Sequence, residues 1–257
     1  MAFNTLKISA LSLSASSAVI AAVIGMGVTA TPAMAQEECL LDTNGDGTAT
    51  DGVDTVGGAT ATGADSLACG TNAEASGDES TSVGVNSRAT GLGATAVGQN
   101  ARATERGTTA LGGNAFANSD RATALGGNSQ AFAEFATAIG NSAQALGTDS
   151  TALGFDSSAN SAASIAIGNN SSATGVDAVA IGGDDAGTGA TADGNSTTAI
   201  GGEAFAQGPG ATAVGWRSVA DAERAHAFGH LANALGVRSL AIGEAAIANS
   251  DFSIAQG

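Results

Sequence analysis

Large and small residues alternate along most of this chain with a beat of fourteen. The phrase Thr-Ala-Leu-Gly occurs at Thr109 and Thr123 and returns as Thr-Ala-Ile-Gly at Thr137. Taking the glycine of each phrase as a reference column, the series runs Gly70, Gly84, Gly98, Gly112, Gly126, Gly140, Gly154, Gly168, Gly182, Gly201, Gly215, Gly229, Gly243 and Gly257. Every step is fourteen residues except the nineteen from Gly182 to Gly201, and an imperfect earlier phrase ends at Gly57. The position before glycine is apolar in all phrases but the last; its main run is Val97, Leu111, Leu125, Ile139, Leu153, Ile167, Ile181, Ile200, Val214, Phe228 and Ile242. Two before glycine stands Ala, with Ser82 as the exception, and three before stands mostly Thr. Small, β-branched, small, large is a period of two, which predicts a short strand.

A turn is expected after each glycine, because Gly113-Asn114, Gly127-Asn128 and Asn169-Asn170 are residue types that tolerate positive φ. A second alternating run follows, as in Ala115-Phe116-Ala117, Ser129-Gln130-Ala131 and Ala143-Gln144-Ala145, and a second turn such as Asn118-Ser119-Asp120 closes the phrase. Two strands and two turns per repeat predict an all-β fold, a parallel β-roll or solenoid of about fourteen 14-residue coils. At about 4.8 Å per coil the rod would be roughly 65 Å long. Helix is disfavoured, since each glycine in a helix interior costs about 1 kcal/mol. The nine-residue Gly-Gly-x-Gly-x-Asp phrase of calcium-binding rolls is absent.

The two strands predict which columns face inward. The middle column of the second run holds Arg102, Gln130, Gln144 and Asn233, so its Ala and Ser neighbours turn in. The Ala column of the first strand packs against them, which sends the Leu/Ile/Val column and the Thr column out together. A stripe of that length is worth tens of kcal/mol if buried, at about 25 cal/mol per Å², and exposed patches of this kind mark interfaces. Self-association along the stripe is therefore expected. The competing arrangement, with Leu and Ile inside a monomer and Ala outside, leaves the Ala column without a reason.

Residues 1–35 read as a signal peptide: Lys7 near the start, an apolar stretch around Val19–Val28, and Ala33-Met34-Ala35 before a cleavage ahead of Gln36. An uncleaved membrane anchor is the other reading. Residues 36–65 are then an acidic N-terminal cap and 66–257 the roll. The mature chain has no apolar run long enough to insert directly into a membrane. It carries 7 Arg against 24 Asp and Glu, a net of −17, and no lysine. Such a surface repels phosphate backbones and anionic lipid, so nucleic acid is not an expected partner. Cys39 and Cys69 are an even pair in an exported chain, which predicts a disulfide within or between chains, with two free thiols as the alternative.

Candidate sites are few. Asp42-Thr43-Asn44-Gly45-Asp46-Gly47 matches the first half of an EF-hand loop, making Asp42, Asn44 and Asp46 candidate Ca²⁺ ligands; position twelve is Val53 rather than an acid. The alternative is an acidic turn. The insert Gly183–Ser196 carries Asp184, Asp185 and Asp193, and insertions in solenoids map to surface loops, often on the binding face. Trp216 and Arg217 replace the Gly-Asn of a turn and are plausible ligand contacts together with Asp184 and Asp185. His226 interrupts the Thr column, where copies of the chain meeting along that face would bring their imidazoles together to hold a metal, an anion or a trapped proton; the alternative is a spacer hydrogen-bonded to water. No catalytic constellation is visible, so an enzyme is not expected, and no cofactor other than Ca²⁺ is.

Ser-Ile-Ala-Ile-Gly (Ser164–Gly168), Ala-Val-Ala-Ile-Gly (Ala178–Gly182) and Ser-Leu-Ala-Ile-Gly (Ser239–Gly243), with the Ala/Ser-x-Ala that follows each, resemble the head repeat of YadA-type trimeric autotransporter adhesins. The resemblance covers about residues 66–257. It implies a left-handed, homotrimeric roll and an adhesin involved in virulence, secreted or held at the cell surface or outer membrane of a Gram-negative-type bacterium. It also implies multivalent binding to a host or matrix protein or glycan. The Asn that often opens the family phrase is replaced by Gly107, Arg121, Phe135 and Asp149. No heptad stalk or barrel strands follow Gly257, so the expectation is a head without its own anchor. Two other readings stay open: a purely structural surface or assembly solenoid, and an ice-binding one, given the ladder Thr95, Thr109, Thr123, Thr137 and Thr151. Ice requires those threonines to face solvent.

Overall fold

A computed structural model describes residues 37–39, 57–184 and 188–257, all within the unit Ala35–Gly257. The expected solenoid is what forms. Strands of three residues ending in the apolar column alternate with strands of two, and each hydrogen-bonds in parallel to its counterpart one repeat away, giving a 15-stranded and a 14-stranded sheet. Identical columns lie in register: Thr123, Ala124 and Leu125 pair with Thr137, Ala138 and Ile139. On the second sheet Gln130 and Ala131 pair with Gln144 and Ala145. The nineteen-residue step changes nothing in the ladders, since Val179, Ala180 and Ile181 still pair with Thr198, Ala199 and Ile200.

Alanine fills the space between the sheets. The Ala column of the first strand and the Ala columns of the second are buried from Ala59 to Ala248; they form a small cluster from Ala59 to Ala75 and a long one from Ala89 to Ala248, with Ser80, Ser82 and Ser87 buried between them. Of the two arrangements the pattern allows, the structure has Ala inside and the Leu/Ile column outside. The interior positions that are not Ala are Ser or Thr, and most of their hydroxyls bond back to the carbonyl three residues earlier. Ser129 Oγ donates to Gly126 O at 2.9 Å, and Thr108 Oγ1 to Glu105 O at 2.6 Å. That short return bond satisfies the hydroxyl inside the turn itself, which is why Ala, Ser and Thr exchange freely at these columns.

Both turns place one residue in the left-handed region. After the reference glycine it is Asn114 (φ 57) or Asn128 (φ 57); in the second turn it is Arg121 (φ 56), Phe135 (φ 57), Asp149 (φ 57) or Ala163 (φ 53). The replaced asparagines of the family phrase fall on this second set. An L-residue there costs about 1–2 kcal/mol, whereas glycine's loss of chain entropy is about 0.5–1 kcal/mol. Ala163→Gly should therefore raise unfolding stability by about 0.5 kcal/mol in urea titration, a small gain against a position where no side-chain contact is at stake.

The first sheet begins before the first regular repeat. Glu37–Glu38 form strand β1, whose Cα positions pair with Leu67 and Ala68, and Cys39 donates its N–H to Ala68 O at 3.1 Å. Cys39 thus stands beside Cys69 in the apolar column, and the two are joined by a disulfide, Cα to Cα 4.5 Å. Part of the expected acidic cap is therefore a strand of the sheet. The cross-link closes a separation of 30 residues, and a loop of that size removes roughly 3.5 kcal/mol of unfolded-chain entropy. It holds a strand of two residues that few backbone bonds would hold alone.

Candidate functional site

Among the described residues the interior is filled by Ala, Ser and Thr, so function has to be read from the outside of the roll. On the outer face of the first sheet the apolar column is only half covered. Ile139 is 38% exposed, Leu153 42%, Phe228 40% and Ile242 42%, while Val97, Leu111, Leu125, Ile167, Ile181 and Val214 are intermediate and Ile200 matches Ile139. What cover they have comes from one another, each side chain standing between its neighbours one coil up and one coil down. The Thr column shares this face and is likewise intermediate, so the threonine ladder and the apolar stripe form a single surface. His226 stands in that Thr column, its ring 6.4 Å from Phe228 and nearly parallel to it.

The corner that follows the stripe is where the chain departs from its repeat. The five extra residues of the long coil sit here, between Gly182 and Ala190. Their base is held by the preceding coil: Asn169 Nδ2 donates to Asp184 O at 2.8 Å, and Gly189 N–H to Asn170 O at 3.1 Å. Asn169 Oδ1 and Asp184 Oδ2 are buried without a hydrogen-bond partner. Asp185 lies outside the described residues, as do Asp42, Asn44 and Asp46 of the candidate Ca²⁺ loop and the expected signal peptide. Among the described residues no three of His, Cys, Asp and Glu come together as a metal site.

Trp216 and Arg217 occupy the same corner as Asp184, two coils further on, so the turn and the insert that sequence singled out share one edge. Trp216 is 45% exposed and its indole stacks on the imidazole of His230 at 4.9 Å with 13° between planes. His230 Nδ1 lies 3.4 Å from Glu244 Oε1. Arg217 Nε pairs with Glu203 Oε2 at 3.0 Å, and its guanidinium is 5.2 Å from the indole centroid. His230, Glu203 and Glu244 were not singled out from sequence, yet each is fourteen residues from its partner, and in this fold that offset alone makes neighbours. The opposite face repeats the lesson: Arg88 pairs with Glu74 at 3.0 Å and Arg102 lies 4.5 Å over the Phe116 ring, while Phe116 also meets Phe132, sixteen residues on, edge-on at 5.1 Å. Surface clefts are shallow and polar, one along Glu105, Asn118, Ser119, Asp120 and Glu134, another along Asn195, Pro209 and Arg224.

The profile of the YadA head domain repeat matches residues 61–184 in successive overlapping stretches, and again residues 206–232 and 234–257. Among solved structures, the chain is similar to the crystal structure of the collagen-binding domain of Yersinia adhesin YadA. The identity is 28% over 53% of this chain, with a TM-score of 0.36, and the match spans 66% of that chain's length. No curated protein matches.

Proposed function

This chain belongs to the YadA head domain repeat family, and from that premise we propose that it is an extracellular adhesin head. Three copies pack their stripes about a common axis and present the corner turns outward to a host or matrix protein or glycan. The observation that carries the reading is the stripe itself. A row of Leu, Ile, Val and Phe along one sheet face is left half open to water by the single chain, and a patch of that extent calls for a partner surface. A second copy of the same stripe offers the best match in length and spacing, and closed rotational symmetry lets every copy be satisfied alike.

Adhesion would then be multivalent. Corner turns recur every coil and in every chain, so contacts that are individually weak add through effective concentration. The mature chain's net charge of −17, 7 Arg against 24 Asp and Glu, keeps such rods apart in solution and disfavours nucleic acid. Export of the chain, with residues 1–35 as a signal peptide cleaved ahead of Gln36, belongs to the same proposal.

Light scattering of residues 36–257 should return three times the chain mass. A monomer would remove the stripe argument and revive the threonine ladder as an ice-binding face, to be read by thermal hysteresis. A trimer that binds neither cells nor immobilised matrix proteins, collagen included, would leave a structural solenoid in place of an adhesin.

A further inference from the structure

The apolar stripe contains one group whose charge changes near neutral pH. From Leu67 to Gln256 the Thr and Leu/Ile columns hold no titratable side chain but His226, the disulfide-bonded Cys69 aside. His226 stands where most coils have threonine, in register with Thr212 on one side and Leu240 on the other. Among the described residues no hydrogen bond or ion pair reaches its ring. Phe228 lies nearly parallel to it at 6.4 Å, outside the ~6 Å within which an aromatic face holds a cation. In the single chain the ring is partly open, and water solvates it neutral or charged.

From Leu67 onward no carboxylate stands in these two columns. The nearest charges are on the turns that flank the strand. On the turn before it are Arg224, ion-paired with Glu223 at 3.3 Å, and, one coil on, Arg238 over the Phe252 ring. On the turn after it are His230, 3.4 Å from Glu244, and Arg217, paired with Glu203 at 3.0 Å. The acids have partners of their own, so a proton on His226 gains no counter-charge. Copies that cover the stripe also remove its water. Burial without a partner disfavours the charged form of an imidazole, and imidazoliums gathered along one interface repel. Resting on the trimer reading above, we propose that His226 makes the assembly sensitive to pH: the trimer forms with the imidazole neutral and loosens as acid protonates it.

Linkage sets the size and the sign. An imidazole in water takes up its proton near pH 6.5, so above that value this group leaves the assembly indifferent to pH. Below it, each released copy binds a proton that the trimer excludes, and the association constant falls by up to tenfold per copy for each pH unit. Three copies give about a thousandfold at pH 5.5. Because three chains join at once, the chain concentration at half assembly rises as the square root, about thirtyfold. The carboxylates act in the opposite direction. The mature chain is at −17, and acid that neutralises part of that charge weakens the repulsion between copies.

Light scattering of residues 36–257, in the urea concentration that half dissociates them at pH 7.5, brings the equilibrium into range. At pH 5.5 the parent should need about thirtyfold more chain to reach the same mean mass. His226→Thr, which restores the commonest residue of the column, should shift by less than about threefold. His230→Gln removes the chain's other histidine and should shift as the parent does. A parent shift below about threefold, tighter assembly at pH 5.5, a shift that survives His226→Thr, or one that is lost with His230→Gln instead overturns the proposal. The mass without urea separates this device from the trimer itself. A single chain at pH 7.5 removes both; three chains with no response to pH remove the device alone.

Discussion

Gly98→Ala is expected to destabilise the roll by about 3–5 kcal/mol, although it adds a single methyl group. Gly98 has φ 128, and a carbon added to it would sit 2.5 Å from the Gly112 carbonyl oxygen and 2.7 Å from its carbonyl carbon. A residue with a Cβ in that backbone region costs about 1–3 kcal/mol. The contact with the next coil's backbone adds an overpacking cost of about 1–3 kcal/mol, because backbone in a hydrogen-bonded ladder has no rotamer through which to retreat. Neighbouring coils feel the change too, since in a solenoid each repeat is stabilised chiefly by the ones beside it. Asn100→Gly is the matched control: two residues along, at φ 57, glycine fits and the loss of the side-chain bond from Asn100 Nδ2 to Asn114 Oδ1 at 3.1 Å is exposed and small. Urea titration of the two variants should separate them by at least 2 kcal/mol; a Gly98→Ala chain within 1 kcal/mol of the parent would show that the column is not needed where it stands.

Much of this was readable from the repeat. A constant step of fourteen fixes which residues are stacked, and the alternation of Ala with Leu or Ile fixes which of them point in. The orientation followed from size alone: two facing columns of Ala leave a gap that Leu cannot enter, so Leu111 and Leu125 go out. The glycines were visible as letters, but their reason was not. That Gly98 meets the carbonyl of Gly112 depends on the approach of one turn to the next, which no single phrase contains. Phe135 and Ala163 in the left-handed region were hidden for the opposite reason. Their residue types give no hint of positive φ, and only the stacking of neighbouring second turns forces it.

The candidate site was legible in part. Trp216 and Arg217 stood out because they replace turn residues, and Asp184 because it lies in the insert. Their meeting on one corner came from the insert occupying the turn after the apolar column rather than the other turn. The partners of Trp216 were recoverable by counting fourteen residues on to His230 and fourteen back to Gly202, a rule that becomes usable only once the step is taken as spatial. Strand β1 was not recoverable that way: Cys39 is 30 residues from Cys69, and that separation is no multiple of the repeat.

Ile139→Asp should dissolve the proposed trimer while leaving the single chain folded. In the lone chain Ile139 is 38% exposed and touches no core, so a carboxylate there can stay in water and the Ala interior is unchanged. The stripe's remaining open area is worth about 1 kcal/mol per residue, or roughly 10 kcal/mol per chain over its main run. That is less than the column would yield from full exposure, because Leu125 and Leu153 already shield Ile139 along the ladder. In the proposed trimer the same aspartate would be carried to the axis three times. Each copy forfeits the apolar contact and pays a desolvation cost of several kcal/mol, and the three carboxylates repel. At about 3 kcal/mol per chain the loss is about 9 kcal/mol for the assembly, or roughly six decades in its association constant at tenfold per 1.4 kcal/mol. Gln144→Asp on the opposite face, where Gln144 is intermediate and pairs with Gln130 and Ser158, adds the same charge away from the stripe and should leave the mass at three chains. Sedimentation of both variants at micromolar concentration decides it. If Ile139→Asp still sediments as the parent does, the association runs through another surface; if both variants fall apart, charge in general rather than the stripe holds the balance.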